Sequence, residues 1–220
     1  QLPTQSRLEF RGKGSVWFQD GLSIQLEGTT ALNKAILSVT ESAAMHLGGA
    51  SDPAAAGSSI VTIAGTGHVV IDSGARLLVE GGQRLIVGSA LTDNLDVLVD
   101  RGAIVSLSGE NQSVETGAAA LSFQLGTYSI DFQQKALLDV GKRGVFEINA
   151  LNNVKKSGKL TSLSFAGAGS LSLDHDGTFI IGQNALAQAT KQEIPFTFDL
   201  LGGEITGDGM VQLAQTLLAG

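Results

Sequence analysis

Cysteine is absent from this 220-residue chain, and aromatic residues make up only 5% of it. Without cysteine there can be no disulfide, no thiolate metal site and no cysteine nucleophile. Because aromatic rings are scarce, Val, Ile, Leu and Ala must fill most of the core. Three prolines against 29 glycines indicate many tight turns rather than a disordered linker, so the composition predicts a folded chain.

Clustered positive charge is also missing. The formal net charge is −7, and the basic residues are scattered mostly as single positions. A nucleic-acid surface needs grouped Lys and Arg, so we expect no nucleic-acid partner. No run of roughly 18 apolar residues is present, so we expect no membrane insertion. The chain begins at Gln1 and not at methionine, and we expect it to be a processed or trimmed product.

A strand-turn-strand unit occurs twice with the same glycine spacing, at residues 12–28 and 65–81. The two copies share four glycines, and their apolar positions correspond: Val16 with Val69, Phe18 with Ile71, Ile24 with Leu77, and Leu26 with Val79. An apolar residue at every second position is typical of a half-buried strand and does not fit an amphipathic helix. A shorter pattern, an apolar residue two positions before Gly-x-Gly and a strand, begins at Phe10, Ile63, Phe165 and Ile205.

Units of this kind cannot bury their apolar rows alone, whereas stacking them gives a continuous core. We therefore predict one domain over residues 1–220, folded as a right-handed parallel β-solenoid (β-helix) with coils of roughly 20 or more residues. Irregular loops are expected near 42–59 and 149–159, and a short helix near 183–193. An antiparallel β-sandwich is the alternative, because dipeptides such as Asp20-Gly21 and Asp176-Gly177 favour hairpin turns.

The glycine-punctuated strands resemble those of parallel β-helix proteins of the pectate-lyase-like kind, which include bacterial surface adhesins, autotransporter passengers and phage tailspikes. The resemblance covers most of the chain and is one of pattern. It implies the fold and carries over no functional residue.

Carboxylates follow the strands of the repeated units at Asp20, Asp72, Asp100 and Asp174. Stacked in a solenoid, they would form an acidic row that could bind calcium or act on a glycan. The competing interpretation is that Asp favours turns, where its carboxylate accepts bonds from backbone amides. The densest polar cluster, Asp174-His175-Asp176, fits a solvated turn better than a catalytic group, since neighbouring strand residues point to opposite faces. If the protein is an enzyme, we expect Asp72, Asp100, Asp174 and His175 to be catalytic, with no cofactor or metal.

Trp17 and Tyr128, the single tryptophan and the single tyrosine, are candidate platforms for a sugar ring. Trp17 is the better ligand-binding candidate, because it lies at an outward position between Val16 and Phe18. His46 and His68 have no evident partner nearby in the sequence.

The internal repeats and the lack of converging polar residues predict a non-enzymatic structural or adhesive module of a cell surface, an extracellular filament or a virion. A solenoid exposes strand edges at both ends, and residues 207–213 keep the repeat pattern close to the end of the chain. We therefore expect a homo-oligomer or filament. A polysaccharide lyase or depolymerase, or a glycan-binding module on the same fold, is the alternative.

Overall fold

The computed structural model describes residues 1–18, 21–28, 35–47, 60–111, 114–115, 117–151, 161–181 and 196–213. Within these ranges the chain forms 22 β-strands and no helix. All of the strand pairs are parallel except that of β11 with β12. The protein is therefore a parallel β-solenoid.

Seven coils pass through three faces, and each face is a stack of parallel strands. The first face contains β1 (Arg7–Arg11), β4 (Ala35–Thr40), the second half of β6 (Ile60–Ile71), β9 (Asn94–Val99), β14 (Thr127–Phe132), β17 (Thr161–Ala166) and β20 (Phe196–Leu201). The second face contains β2 (Ser15–Phe18), β5 (Ala44–Leu47), β7 (Arg76–Glu80), β10 (Ile104–Ser108), β15 (Leu137–Val140), β18 (Ser170–Leu173) and β21 (Glu204–Gly207). The third face contains β3 (Ser23–Glu27), the first half of β6, β8 (Arg84–Val87), β13 (Ala119–Leu125), β16 (Gly144–Leu151), β19 (Thr178–Ile181) and β22 (Met210–Leu213).

A small hairpin of β11 (Glu110–Asn111) and β12 (Val114–Glu115) lies between β10 and β13 in the sequence. Five coils have a neighbouring coil on both sides. The two end coils are coil 1 (residues 7–27) and coil 7 (residues 196–213), each of which has a neighbouring coil on one side among the described residues.

Register between coils keeps apolar side chains stacked, although the coils differ in length. Leu77 pairs with Val105, 28 residues on, whereas Leu171 pairs with Ile205, 34 residues on. The β-sandwich alternative is wrong, because neighbouring coils pair in parallel. The Asp176-Gly177 dipeptide joins β18 to β19 on different faces and is not a hairpin turn.

The corner between the first and second faces is built in the same way in five coils. Two consecutive residues have positive φ, and the N–H of the fourth turn residue donates to the carbonyl of the first, as in a type I′ turn. The central pairs are Glu41-Ser42, Ser73-Gly74, Arg101-Gly102, Gln134-Lys135 and Gly167-Ala168. A buried small residue ends each turn: Ala43, Ala75, Ala103, Ala136 and Gly169. The turns also bond to each other, as when Ser42 N–H donates to the carbonyl of Ser73.

The glycine repeat of the sequence does not coincide with a coil. Residues 12–28 run through the second and third faces, whereas residues 65–81 run through the first and second faces. Val16 therefore stacks on Met45 of the next coil and not on Val69. The element that recurs along the chain is a single strand followed by its turn. Such an element can lie on any of the three faces, so two copies of the glycine pattern need not lie on the same faces.

Both predicted loops are partly strand. Residues Ala44–Leu47 form β5, with Met45 and Leu47 buried, although the Ala- and Ser-rich composition of 42–59 favours a loop. Burial of these two alternating apolar side chains outweighs the composition around them. Residues 149–151 belong to β16. Ser42 and Ala43 belong to the type I′ turn that precedes β5. Residues 48–59 and 152–159 of the two predicted loops, and the predicted helix at 183–193, lie outside the described residues.

Stacked aromatic rings lie in the core of the later coils. Phe132 and Phe165 stack with ring centroids 5.1 Å apart, and Phe146 and Phe179 stack at 5.3 Å. All four rings are 2% exposed or less. In coil 1 the buried Phe18 ring instead packs edge-on against Phe10, and the coils between are filled mainly by aliphatic side chains.

Candidate functional site

The predicted acidic row is divided between two corners. Asp72 and Asp100 follow strand residues that pair in register, so these two carboxylates are neighbours at the corner between the first and second faces. Asp174 and His175 follow β18, at the corner between the second and third faces. Asp20 lies outside the described residues. The structure thus brings together two of the four predicted carboxylates.

Asp72 and Asp100 both bind the backbone of a type I′ turn. Asp72 is 8% exposed, and its Oδ1 accepts bonds from the Ser73 N–H at 2.5 Å and from Arg101 Nε at 2.6 Å. The Arg101 guanidinium also pairs with the second oxygen of Asp72, which makes the contact bidentate. Asp100 Oδ1 accepts the Arg101 N–H at 2.7 Å. These bonds are the ones by which Asp stabilises turns.

Asp174 and His175 form an exposed turn. Asp174 Oδ1 accepts the His175 N–H at 2.8 Å, and the His175 Nδ1 lies 3.5 Å from Asp208 Oδ2 in the next coil. The side chains of His175 and Asp208 are 81% and 74% exposed. Ion pairs so exposed contribute little to stability. The geometry at this corner is that of a solvated turn.

Trp17 stacks on a histidine ring on the outer surface of the second face. Its indole ring stacks on His46 of the next coil, with ring centroids 4.0 Å apart and planes 14° apart. The His46 Nδ1 lies 3.4 Å from Glu80 Oε2, one coil further on. Trp17 remains 46% exposed, whereas the His46 side chain is 15% exposed. The arrangement presents an ordered aromatic surface to solvent.

The histidines that lack partners in the sequence have partners one coil away. Besides the pair of His46 with Glu80, the Nδ1 of His68 lies 3.5 Å from Asp96 Oδ2. The partners are 34 residues apart in the first pair and 28 in the second, one coil in each case. Because the coils differ in length, no single spacing in the sequence identifies both pairs.

Tyr128 is completely buried, so it cannot be a platform for a sugar ring. Its hydroxyl is within hydrogen-bonding distance of two carbonyls, that of Leu125 and, at 3.2 Å, that of Val87. Burial, and secondarily the charge of Asp93, raise the pKa of Tyr128 far above its ordinary value of 10.0. Gly88 makes room for the hydroxyl, because a Cβ at that position would overlap it.

The loop after β8 is closed by Asp93, which is 5% exposed. One oxygen of its carboxylate accepts the N–H of Ser89 at 2.7 Å and the N–H of Ala90 at 3.1 Å. The Thr127 N–H donates to the Asp93 carbonyl at 2.9 Å and so ties this loop to the next coil. Asp93 and Tyr128 therefore form a buried structural cluster that the sequence analysis missed.

Coil 7 exposes side chains at positions that are buried in the preceding coil. Phe198, Leu200, Ile205 and Val211 pair in register with Leu163, Phe165, Leu171 and Phe179. The residues of the preceding coil are 0–2% exposed, whereas those of coil 7 are 37%, 47%, 40% and 48% exposed. Coil 7 therefore presents an apolar surface, the C-terminal end surface, formed by these four side chains.

Coil 1 is partly covered. Leu2 forms a bridge with Leu26, in which Leu2 N–H donates to the Gln25 carbonyl and the Glu27 N–H donates to the Leu2 carbonyl. Leu26 is buried, but Leu8 and Leu22 are 36% and 37% exposed. The N-terminal end surface, formed by Leu8, Phe10, Val16 and Leu22, is thus less open than the C-terminal one.

In the part of the chain that the structure describes, no group of three or more His, Asp or Glu side chains is arranged to hold a metal ion. No described segment forms a helix of the length and apolar character that a membrane span requires. Comparison of the chain with protein-family models, with curated proteins and with solved structures gave no match.

Proposed function

We propose that this protein is a structural β-solenoid module that self-associates through its end coils. The observation that carries the proposal is the C-terminal end surface, where four apolar side chains at core positions are 37–48% exposed. Apolar surface that is contiguous and open to water marks a contact site in soluble proteins. The partner proposed for it is a second copy of this chain.

The backbone supports the same proposal. No described strand pairs with the outer edge of β20, β21 or β22, so this edge of the three faces is open among the described residues. Such edges are templates for a further strand. Covering the exposed half of four large apolar side chains contributes about 1 kcal/mol each, or about 4 kcal/mol in all. Because association itself costs at least about 4 kcal/mol, these four side chains only offset that cost, and the net affinity must come from pairing of the strand edges and from the apolar surface of the partner.

The test is light scattering and negative-stain electron microscopy over a concentration series. Wild-type protein should form oligomers or fibres as concentration rises, and Leu200→Lys should remain monomeric because it places a charge in the contact. Leu137→Lys is the matched control, since Leu137 points outward in a middle coil and is half-buried. Monomeric wild-type protein at every concentration, or equal loss of assembly in both variants, would contradict the proposal.

We place this assembly on a cell surface, in an extracellular filament or in a virion, on the resemblance to adhesins and tailspikes. Antibody labelling of intact source cells or particles tests the location. Labelling that requires permeabilised cells would refute it.

Glycan binding at Trp17 is the second candidate function. It is favoured by the indole ring, which His46 holds in place while leaving it 46% exposed. A glycan array should then show binding that Trp17→Ala abolishes and that His46→Ala weakens. An empty array would eliminate this candidate. A depolymerase has no comparable observation in its favour, because Asp72 and Asp100 are bound within turns.

A further inference from the structure

We infer that copies of this chain join head to tail, so that the strands of coil 7 of one copy pair with the strands of coil 1 of the next. The register of this pairing is the one that relates consecutive coils within the chain. This inference rests on the proposed self-association and adds its polarity and its contacts. The two end surfaces match in register and in apolar character, and the head-to-tail polarity avoids a contact between two acidic ends.

Continuing the internal register places apolar residues against each other on all three faces. The pairings follow from the strand partners that link each residue of coil 7 to a position in coil 1, on the first face, on the second and on the third, where Leu22 immediately precedes β3. The residues that would face each other are Phe198 and Leu8, Leu200 and Phe10, Ile205 and Val16, and Val211 and Leu22. The contact covers the two inward residues of coil 1 that are most exposed, Leu8 and Leu22.

The bridge made by Leu2 does not obstruct this contact. In the same register Leu213 faces Ile24, and Leu26 lies two residues further along β3. Leu2 therefore covers a position beyond the end of β22. The outer edges of β1 and β2 have no strand partner among the described residues and can receive β20 and β21.

Charge disfavours contact between two C-terminal ends. The described charged residues of coil 7 are all acidic: Asp199, Glu204 and Asp208. The basic and acidic residues of coil 1 are equal in number, with Arg7, Arg11 and Lys13 against Glu9, Asp20 and Glu27. In the head-to-tail register Asp199 faces Glu9, which has Arg7 and Arg11 two residues away on either side. A tail-to-tail contact would instead bring six carboxylates together, and such like-charge contacts select against a partner.

The fluorescence of Trp17 should indicate whether coil 1 is covered by coil 7 of another copy. Along the second face, the position of Trp17 continues through His46 to Thr206 in coil 7. Thr206 of a docked copy would thus cover the ring face that His46 does not. Because Trp17 is the single tryptophan, its emission should shift to shorter wavelength when coil 1 is docked.

Mixing two end variants tests the polarity. Leu8→Lys damages the N-terminal end surface and Leu200→Lys damages the C-terminal one, so each alone should remain monomeric where wild-type protein assembles. A 1:1 mixture should form dimers of twice the monomer mass, because each variant keeps one intact end. Assembly should stop at the dimer, and Trp17 emission should shift in the mixture but not in either variant alone.

Other outcomes separate this inference from the proposed function. If wild-type protein assembles and Leu8→Lys assembles equally well, the contact is tail to tail and the inference is overturned while self-association stands. If wild-type protein never assembles, the proposed function fails. Arg11→Glu is a second variant that leaves every apolar position intact, and it should weaken assembly severalfold at low salt. Assembly of Arg11→Glu at the wild-type concentration would count against the head-to-tail contact.

Discussion

Alanine substitutions at two glycines distinguish the free-energy cost of a left-handed backbone from the cost of a steric clash. Gly88 and Gly102 both have positive φ, 91° and 72°. A Cβ added at residue 102 meets no atom within 4 Å, whereas a Cβ at residue 88 would overlap the hydroxyl of Tyr128. Gly102→Ala should therefore cost only the left-handed conformation, about 1–2 kcal/mol of unfolding free energy.

Gly88→Ala should cost considerably more. Its methyl group must displace the Tyr128 ring in a packed interior, which adds about 1–3 kcal/mol. Displacement also breaks the buried hydrogen bonding of the hydroxyl to the carbonyls of Leu125 and Val87, for about 1–3 kcal/mol more. Together with the conformational cost of about 1–2 kcal/mol, we expect a total of about 3–8 kcal/mol, at least twice the cost of Gly102→Ala.

Urea unfolding followed by circular dichroism measures both costs, and Tyr128→Phe on each background tests the cause. Removing the hydroxyl should partly rescue Gly88→Ala, with a coupling free energy of about 1 kcal/mol or more, and should be additive with Gly102→Ala. Rescue is partial because the added Cβ would still overlap the backbone carbonyl oxygen of Leu125 and lie 2.9 Å from Tyr128 Cζ. Equal costs for the two glycine variants, or additivity at both sites, would refute the argument that Tyr128 requires glycine at residue 88.

Three further predictions concern single residues. Tyr128, the only tyrosine, should show no tyrosinate absorbance at 295 nm near pH 10 while the protein is folded. The free energy of unfolding should fall as the pH rises above the ordinary pKa of 10.0, because the folded state keeps the phenol protonated whereas the unfolded state does not. A simple titration of Tyr128 near pH 10 in folded protein would contradict its burial. Lys135→Gly should stabilise the protein by about 0.5–1 kcal/mol in thermal melts, because Lys135 has a φ of 67°; a loss of stability would show that its side chain matters more than its backbone. Arg101→Ala should cost about 1–3 kcal/mol because it leaves the buried carboxylate of Asp72 with fewer partners, and no change would mean that the pair is as weak as an exposed one.

The alternation of apolar residues predicted the strands and the parallel solenoid, but it could not assign strands to faces. Each coil contains three strand-and-turn units, so a local glycine pattern recurs on different faces. The unit at residues 12–28 therefore has a counterpart at 65–81 that stands one face away. The feature that does recur at one corner, in five of the seven coils, is the type I′ turn followed by a buried Ala or Gly, as at Ala75 and Ala103. Its central residues vary from Ser-Gly to Gln-Lys, which hides it in the sequence.

Contacts between coils were the least predictable feature. The pairs of Asp72 with Arg101 and of His46 with Glu80 join residues 29 and 34 positions apart. Coil length varies, so no fixed spacing identifies such partners. For the same reason Asp174 was aligned with Asp72 in the sequence but lies at a different corner. The prediction that the repeat pattern continues to residue 213 is confirmed, since β21 and β22 are regular strands of the solenoid.

The connections between consecutive coils bear on the proposed head-to-tail assembly. Every coil passes to the next at the corner between the third and first faces. One residue, Gly126, makes this connection between β13 and β14, whereas residues 182–195 make it between β19 and β20. Both connections are followed by strands stacked in parallel register. Register is therefore set by the stacking of apolar rows and by backbone pairing, and the length of the connecting segment does not determine it. A break in the chain at the same corner, between β22 of one copy and β1 of the next, leaves those determinants in place.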